Sequence, residues 1–279
     1  MIGHKAGLQS GDYLYSSLNL YLAIISSYIS GHHLNNIREN SRKYALKNPD
    51  EKAVITAGHS SLLHLQSCVL IEGSQVLDAE CVDGLSGKKE IIADATNAKD
   101  QTILLTYEIH RRTNALLFGE LDGISLGLKI SDIVSQNKTL LRPALIFALF
   151  VEGLICYNLA RQTDEKHEWI RIGEFVRKKM ATWAQSCAWN FENKMLLLDA
   201  EHMFTLTLDS TCTPDLPASD HSGNVDRAES LYIRSIISAK EHKFIHEEAI
   251  ANRLAGDFFF ERGHYSKAYS LFTHQLNVI

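Results

Sequence analysis

The sequence contains little proline and little cysteine: four and five residues, respectively, out of 279. Proline interrupts helix interiors, so its scarcity favours a helical chain. The five cysteines show no paired spacing, and several lie in apolar helical patterns: Cys68, Cys81, Cys156, Cys187 and Cys212. Cysteines of this kind are typical of reduced, intracellular proteins rather than of a disulfide framework.

The chain also lacks an excess of positive charge and a secretory signal. Its net charge is −5, and it has no basic run. A nucleic-acid-binding protein needs a basic face that neutralises phosphates, so the charge argues against nucleic-acid partners. The N-terminal sequence MIGHKAGLQSGD has no apolar core before a small-residue cleavage site. We therefore expect a cytoplasmic protein.

Only one long apolar run is present, PALIFALFVEGLICYNLA from Pro143 to Ala160. A membrane-spanning helix needs ~20 predominantly apolar residues, and this run is shorter and has Glu152 at its centre. The sequence therefore predicts a buried helix of a soluble protein and no membrane partner.

Helical periodicity fills most of the chain, and glycine, proline and polar residues divide it. The helix Glu165–Gln185 has the clearest apolar stripe, which includes Trp169 and Trp183. Other predicted helices are Asp12–Ile29, Leu34–Lys47, Glu51–Glu72, Gln101–Phe118, Ile124–Gln136, Pro143–Ala160 and Phe191–Leu208.

Non-helical sequence separates groups of these predicted helices. N-terminal helices occupy 1–72 and central helices 101–208, whereas 73–100 has three glycines and only short apolar runs. We expect an irregular connection or short helices at 73–100 and a surface loop at 209–222, where two prolines occur in a polar stretch.

The C-terminal stretch 223–279 contains an internal repeat. RAESLY at Arg227–Tyr232 recurs forty residues later as KAYSLF at Lys267–Phe272, and a glycine lies four residues before each copy, Gly223 and Gly263. Repeats of this length predict stacked helical units. The second unit reads as helix Ala249–Arg262, a turn, and helix Ser266–Leu276, with Asp226 and Ser266 as equivalent N-caps.

Small residues in the second unit predict close packing of its two helices. Gly256 lies on the first helix and Ala268 on the second, and both remove side-chain bulk from the contact. Together with the aromatic residues around them, these positions resemble the tetratricopeptide family, in the pattern Gly256, Phe259, Gly263, Ala268 and Phe272. Two positions depart from the family pattern: Asn252, where a large apolar residue is usual, and Gln275, where alanine is usual.

The resemblance implies an all-α fold, a tetratricopeptide-like α-solenoid of antiparallel helical hairpins that extends over 1–279 as one array. In that family the first helix of each unit lines a concave groove, which implies that Arg253, Asp257 and Phe260 face a protein or peptide partner. The last helix, from Ser266 to Ile279, lacks a polar capping helix, so we expect self-association through it.

A longer stretch, about Leu140 to Leu276, resembles the helical region of large microbial signalling proteins that carry a P-loop ATPase-like module and an output module such as a kinase. That region is implied to be regulatory. We therefore expect a non-catalytic scaffold for protein–protein interaction in signalling. The alternative is a fragment of the regulatory region of a larger signalling ATPase or kinase.

Sequence motifs for catalysis or metal binding are incomplete. The run Gly84–Lys89 lacks the first glycine and the final serine or threonine of a phosphate-binding loop. His242 and His246 have i,i+4 spacing, but the repeat places a turn between them, and His59 and His64 are five residues apart. We thus expect no catalytic residue, metal or cofactor.

One alternative of another class remains. A helical enzyme or small-ligand sensor could use a cavity near Trp169, Trp183 and Trp189. The periodicity argument favours a core role for this apolar stripe.

Overall fold

The structure is a computed structural model that describes residues 2–46, 54–99, 101–120, 129–132, 143–208 and 219–278. Within these ranges it contains twelve α-helices, one 3-10 helix and one two-stranded sheet. The prediction of an all-α fold is confirmed. The chain forms two compact units, Met1–Arg111 and Arg112–Ile279.

The first unit is built from helices that pack on their neighbours in sequence. Helix α1 contacts α2, α3 contacts α4, and α2 contacts both α3 and α4. Its elements are α1 Ile2–Ser10, α2 Tyr13–Ile29, α3 Leu34–Leu46, α4 Val54–Glu72, a 3-10 helix Ser74–Asp78, β1 Cys81–Val82, β2 Leu85–Ser86, α5 Lys88–Asn97 and α6 Gln101–Phe118, whose last part belongs to the second unit.

A short β-hairpin follows α4, where the sequence indicated only an irregular connection or short helices. Val82 pairs with Leu85 in antiparallel register, and both side chains are buried. The turn residues Asp83 and Gly84 have φ of 52° and 81°. A two-residue turn with positive φ at both positions matches the right-handed twist of a hairpin, which explains the Asp-Gly sequence.

The second unit contains six further helices in sequence. They are α7 Pro143–Gln162, α8 Lys166–Ser186, α9 Ala188–Thr207, α10 Ser219–Glu241, α11 Ile245–Glu261 and α12 Tyr265–Val278. Each helix packs against the next one, and α9 also packs against α7 and α11.

Helix α7 contains the apolar run, and it is buried as predicted. The window Leu145–Gln162 is long and apolar enough to cross a membrane, and 72% of it is buried inside the protein. Its central residues Phe150, Leu154 and Tyr157 are inaccessible to solvent. Helices α8 and α9 both pack against it.

The turns before α11 and α12 have the same backbone construction. At the second turn, Gly263 has φ 77° and the backbone N–H of His264 donates to the carbonyl of Phe259. At the first, Lys243 has φ 61° and the N–H of Phe244 donates to the carbonyl of Ala239. Both follow the pattern of a helix that ends in a left-handed residue.

The prediction that Asp226 and Ser266 are equivalent N-caps is wrong, since α12 begins at Tyr265 and already includes Ser266. Helix α10 begins at Ser219 and runs through both Gly223 and Asp226, so Asp226 is not an N-cap. A single glycine inside a helix costs about 1 kcal/mol relative to alanine, which the packing of α10 on α9 and α11 offsets. The glycine of the first sequence copy therefore has no structural equivalence to Gly263.

The predicted helix Ile124–Gln136 falls mostly outside the described residues, of which 130–132 are helical. The predicted loop 209–222 is described only from residue 219, where α10 begins.

Candidate functional sites

The structure places the predicted groove residues Arg253, Asp257 and Phe260 along α11. The guanidinium of Arg253 donates to Asp257 at 3.1 Å and lies 5.0 Å from the ring centroid of Phe272. It also lies against α6, because a Cβ built on Gly119 would be only 2.2 Å from its Nη2 atom. Arg253 and Asp257 are thus partly satisfied within the unit, whereas Phe260 is 55% exposed.

Exposed apolar side chains continue from Phe260 onto α12. Tyr265, whose ring centroid is 5.3 Å from that of Phe260, is followed on α12 by Tyr269 and Leu276. These three side chains are 62%, 75% and 71% exposed. At about 100° per residue they lie within about 40° of one another on the helix. We call Phe260, Tyr265, Tyr269 and Leu276 the C-terminal apolar surface.

Helix α12 thus has two apolar faces: one packs against α11, and the other is exposed. Ala268 and Gln275 are its fully buried residues, and Gly256 of α11 lies against the ring of Phe272. The Nε2 group of Gln275 donates to the carbonyl of Leu117 in α6, a buried contact that alanine at this family position would not make.

Buried charges in the second unit are paired between helices. Arg161 of α7 lies 2.8 Å from Glu201 of α9, and the hydroxyl of Tyr232 on α10 donates to the same carboxylate. Burial and the adjacent Glu201 raise the pKa of Tyr232 well above its ordinary value. The phenol therefore stays a donor, and the network holds α7, α9 and α10 together.

Glu152, in the middle of α7, is also fully buried and paired. Its carboxylate accepts from the guanidinium of Arg112 at 3.2 Å and from the backbone N–H groups of Ile130 and Ser131. The charge that argued against a membrane span thus binds the free amides at the start of the helical turn 130–132. These contacts indicate a structural role for Glu152.

In the first unit, three potential metal ligands converge between α4 and the hairpin. The Nε2 atom of His64 lies 3.4 Å from Oδ2 of Asp83 and 3.6 Å from Sγ of Cys68. All three ligand atoms lie within 4.8 Å of one another. The side chains of His64 and Cys68 are buried, while Asp83, at the hairpin turn, is partly exposed.

Residues of α3 hold this cluster in place. The guanidinium of Arg38 donates to Oδ2 of Asp83 at 2.6 Å and pairs with Glu72 at 2.8 Å. The hydrogen bond from Arg38 lowers the pKa of Asp83. The backbone carbonyl of Arg38 accepts from Nδ1 of His64 at 3.1 Å, and Arg42 donates to the backbone carbonyl of Asp83.

The cluster does not have the arrangement of a nucleophilic catalytic triad. Cys68 and Asp83 both face Nε2 of His64, whereas a triad uses the two ring nitrogens for the nucleophile and the carboxylate. Burial also raises the pKa of Cys68 to about 11, so the free thiol is protonated near neutral pH. The arrangement can bind a proton or a cation.

The sequence patterns did not predict this cluster, because pairs of histidines do not form it. The structure brings to His64 the side chains of Cys68, one helical turn later, and of Asp83. His242 lies in the turn before α11 and His246 is buried within α11, so the predicted turn is confirmed. Two features of the sequence could have indicated the His64–Cys68–Asp83 cluster: the i,i+4 spacing of His64 and Cys68, and the Asp-Gly turn sequence.

The other sequence-derived sites are dispersed. Gly87 immediately precedes α5 and packs against the carbonyl of Ala79. The three tryptophans have separate contacts: Trp169 with Thr163, Trp183 with Phe191, and the exposed Trp189 with His242. A cavity of about 400 Å³ in the second unit lies elsewhere, beside Thr207, Glu261, Arg262 and His264.

Comparisons with protein-family models, with curated proteins and with solved structures give no match to this chain. The tetratricopeptide resemblance and the relation to signalling ATPases therefore stay predictions based on the residues quoted above.

Proposed function

We propose that this chain is a non-catalytic helical scaffold for protein–protein interaction, and that its second unit is a tetratricopeptide-like solenoid. Three observations support this proposal. Each helix from α7 to α12 packs against the next, α9 also contacts α7 and α11, and the same type of turn occurs at Lys243 and at Gly263. In such arrays each unit buries its apolar face only against its neighbours.

The observation that carries the proposal is the C-terminal apolar surface. Helix α10 has α9 on one side and α11 on another, whereas within the described residues the exposed side chains of α12 have no helix packed on them. The positions 265, 269 and 276 follow the i, i+4, i+11 spacing by which helices pack on one another. An amphipathic helix fits this surface.

We assign this place to a second copy of the chain. A stripe of two tyrosines and a leucine can pack against the same stripe across a two-fold axis, because each residue then meets an apolar equivalent. Phe260 belongs to this surface, and Arg253 and Asp257 lie on the same helix, α11.

The experiment is a measurement of molar mass against concentration by light scattering and sedimentation. We expect the wild-type chain to be a dimer at micromolar concentrations and the Tyr269→Lys variant to be a monomer. Ser270→Lys is the matched control, since Ser270 is exposed on the same helix about 100° from Tyr269. A wild-type chain that stays monomeric at high concentration would overturn the assignment.

Two alternative functions are each supported by one observation. A regulatory role in a larger signalling ATPase or kinase is supported by the resemblance over Leu140–Leu276, and a reading frame with an upstream P-loop would favour it.

A small-ligand sensor would use the cavity beside Arg262 rather than the tryptophans. Thermal stabilisation by a nucleotide or metabolite, lost in Arg262→Ala, would favour that function.

A further inference from the structure

The His64–Cys68–Asp83 cluster has the spacing of a metal centre. A tetrahedral zinc ion with bonds of about 2.0 Å to nitrogen, 2.1 Å to oxygen and 2.3 Å to sulfur separates nitrogen from oxygen by about 3.4 Å and nitrogen from sulfur by about 3.5 Å. The observed separations are 3.4 Å between His64 and Asp83 and 3.6 Å between His64 and Cys68. Two of the three separations thus match a zinc site, and the third, between the sulfur of Cys68 and the carboxylate of Asp83, is below 4.8 Å.

Hydrogen bonds around the cluster orient the ligands as metal sites require. The Nδ1–H group of His64 donates to the carbonyl of Arg38, an acceptor only, so the lone pair of the neutral ring is on Nε2 and points at Cys68 and Asp83. Ligating histidines typically have this second hydrogen bond, and ligating carboxylates are held by a donor as Arg38 holds Asp83.

The arrangement leaves Nε2 of neutral His64 facing the Asp83 carboxylate with no hydrogen between them. Two acceptors at 3.4 Å repel each other unless a proton or a cation lies between them. The thiol of Cys68 can supply one hydrogen bond to Nε2, but it leaves the Asp83 oxygen facing the same lone pair. A cation satisfies all three groups together.

We propose that His64, Cys68 and Asp83 bind one zinc-type divalent cation, which links α4 to the β-hairpin. Imidazole and thiolate ligands select zinc over magnesium and calcium, which prefer oxygen ligands. Three protein ligands leave a fourth position for water on the exposed side of Asp83. Binding forms the Cys68 sulfur–zinc bond and releases the thiol proton to solvent.

The positive charge of Arg38 is compatible with this site. A carboxylate has about four lone-pair positions, so Asp83 can accept from Arg38 and bind a cation at once. Glu72 also neutralises Arg38 at 2.8 Å. The Cys68 thiolate, Asp83 and Glu72 together balance the charge of a dication and of the Arg38 guanidinium, while Arg42, which donates to the backbone carbonyl of Asp83, is exposed and screened by solvent.

The test uses the full chain after treatment with a chelator. Addition of Zn²⁺ should raise the Tm and bind with one equivalent per chain, whereas Mg²⁺ and Ca²⁺ should leave the Tm unchanged. Co²⁺ as a spectroscopic probe should give a near-ultraviolet thiolate-to-metal charge-transfer band. That band reports a sulfur ligand directly and does not depend on any activity of the protein.

Variants identify the ligands. Cys68→Ser should lose the Co²⁺ band, and Asp83→Asn, a change at a partly exposed position, should weaken zinc binding at least about tenfold. Cys81→Ser is the matched control, because Cys81 is an exposed thiol of the same hairpin and should not contribute.

Three results would overturn the proposal: no effect of Zn²⁺ on the wild-type Tm, a band that persists in Cys68→Ser, or a band that disappears in Cys81→Ser. If Cys68→Ser does not fold, Asp83→Asn decides, and unchanged affinity in that variant contradicts the site. The inference is independent of the scaffold function, which rests on the other unit.

Discussion

At the scale of single residues, the absence of a side chain determines how closely helices approach in the second unit. A Cβ built on Gly256 of α11 would lie 2.3 Å from the ring of Phe272 on α12. Gly153 of α7 is similar, since its Cβ would lie 2.7 Å from Val176 of α8. Such distances are far inside ordinary contact, so these glycines permit packing that no other residue allows.

The same substitution should therefore have opposite effects at two helical glycines. Gly256→Ala should lower the free energy of unfolding by about 1–3 kcal/mol, because the added methyl displaces the ring of Phe272. Gly223→Ala in α10 should raise it by about 0.5–1 kcal/mol, because nothing lies within 4 Å and alanine favours the helix.

Urea denaturation followed by tryptophan fluorescence measures both changes, since Trp169, Trp183 and Trp189 all belong to the second unit. Equal effects of the two substitutions would contradict the packing of α11 against α12.

At the scale of elements, buried ion pairs connect helices that are not adjacent in the chain. Arg161 and Glu201 connect α7 with α9, and Lys194 and Glu247, 2.7 Å apart, connect α9 with α11. These pairs coincide with the contacts that α9 makes with α7 and with α11, helices that are not its neighbours in sequence. The hydroxyl of Thr205 on α9 adds a further polar contact, since it donates to the backbone carbonyl of Tyr157 on α7.

Removal of one charge from such a pair should be costly. Glu201→Gln removes the carboxylate that is in direct contact with the buried Arg161 guanidinium and leaves Glu261 as its remaining negative neighbour, and we expect a loss of up to about 3–5 kcal/mol in the free energy of unfolding. Lys178→Gln is the control, because Lys178 is exposed and its pair with Glu174 is long, at 3.7 Å. The control should change stability by less than about 0.5 kcal/mol. Similar values for both variants would show that the buried pair contributes little.

Sequence patterns predicted these elements well where their signal is local. The helices Glu165–Gln185 and Phe191–Leu208 correspond to α8 and α9 within a few residues, because apolar periodicity continues through each. Helix α1 and the hairpin were not predicted. The first helix is short and rich in small residues, and the two strands are too short to show alternation.

The candidate sites depend on contacts between distant residues, and this limits what a sequence can predict. Asp83 joins His64 and Cys68 only because the Asp-Gly turn folds back on α4, and Arg253 meets Gly119 although the two residues lie far apart in the sequence. Neither pairing follows from helical spacing. The exposed stripe on α12, by contrast, was predictable, since its tyrosines and leucine recur at helical intervals.

At the scale of the whole molecule, buried ionisable groups respond to acid with different signs. In the second unit, burial raises the pKa of the carboxyl groups Asp257 and Glu261, so the folded state holds their protons more tightly, whereas burial lowers the pKa of His202. In the first unit, burial, followed by the charge of His59, lowers the pKa of His110 to about 3. Protonation therefore favours the folded state at these two carboxyl groups and opposes it at His202 and His110.

We predict that the first unit loses stability as the pH falls below about 6.5, the ordinary pKa of histidine. The unfolded chain binds a proton at His110 in this range, whereas the folded chain binds it only near pH 3, so the loss continues down to that pH. The slope for this residue is up to about 1.4 kcal/mol per pH unit. Carboxyl groups such as Asp83 add to the loss only at lower pH, because their unfolded pKa is near 4.

Hydrogen–deuterium exchange of peptides from α2 to α6, at pH values between about 7.5 and 5 and with intrinsic rates corrected, measures the unfolding free energy of this unit. His110→Gln should flatten the dependence, since glutamine retains polarity but does not titrate, whereas His32→Gln, at an exposed histidine, should leave it unchanged. Chelator in all samples separates this effect from metal binding at His64. An unchanged slope in His110→Gln would show that His110 is not the group whose protonation destabilises the fold.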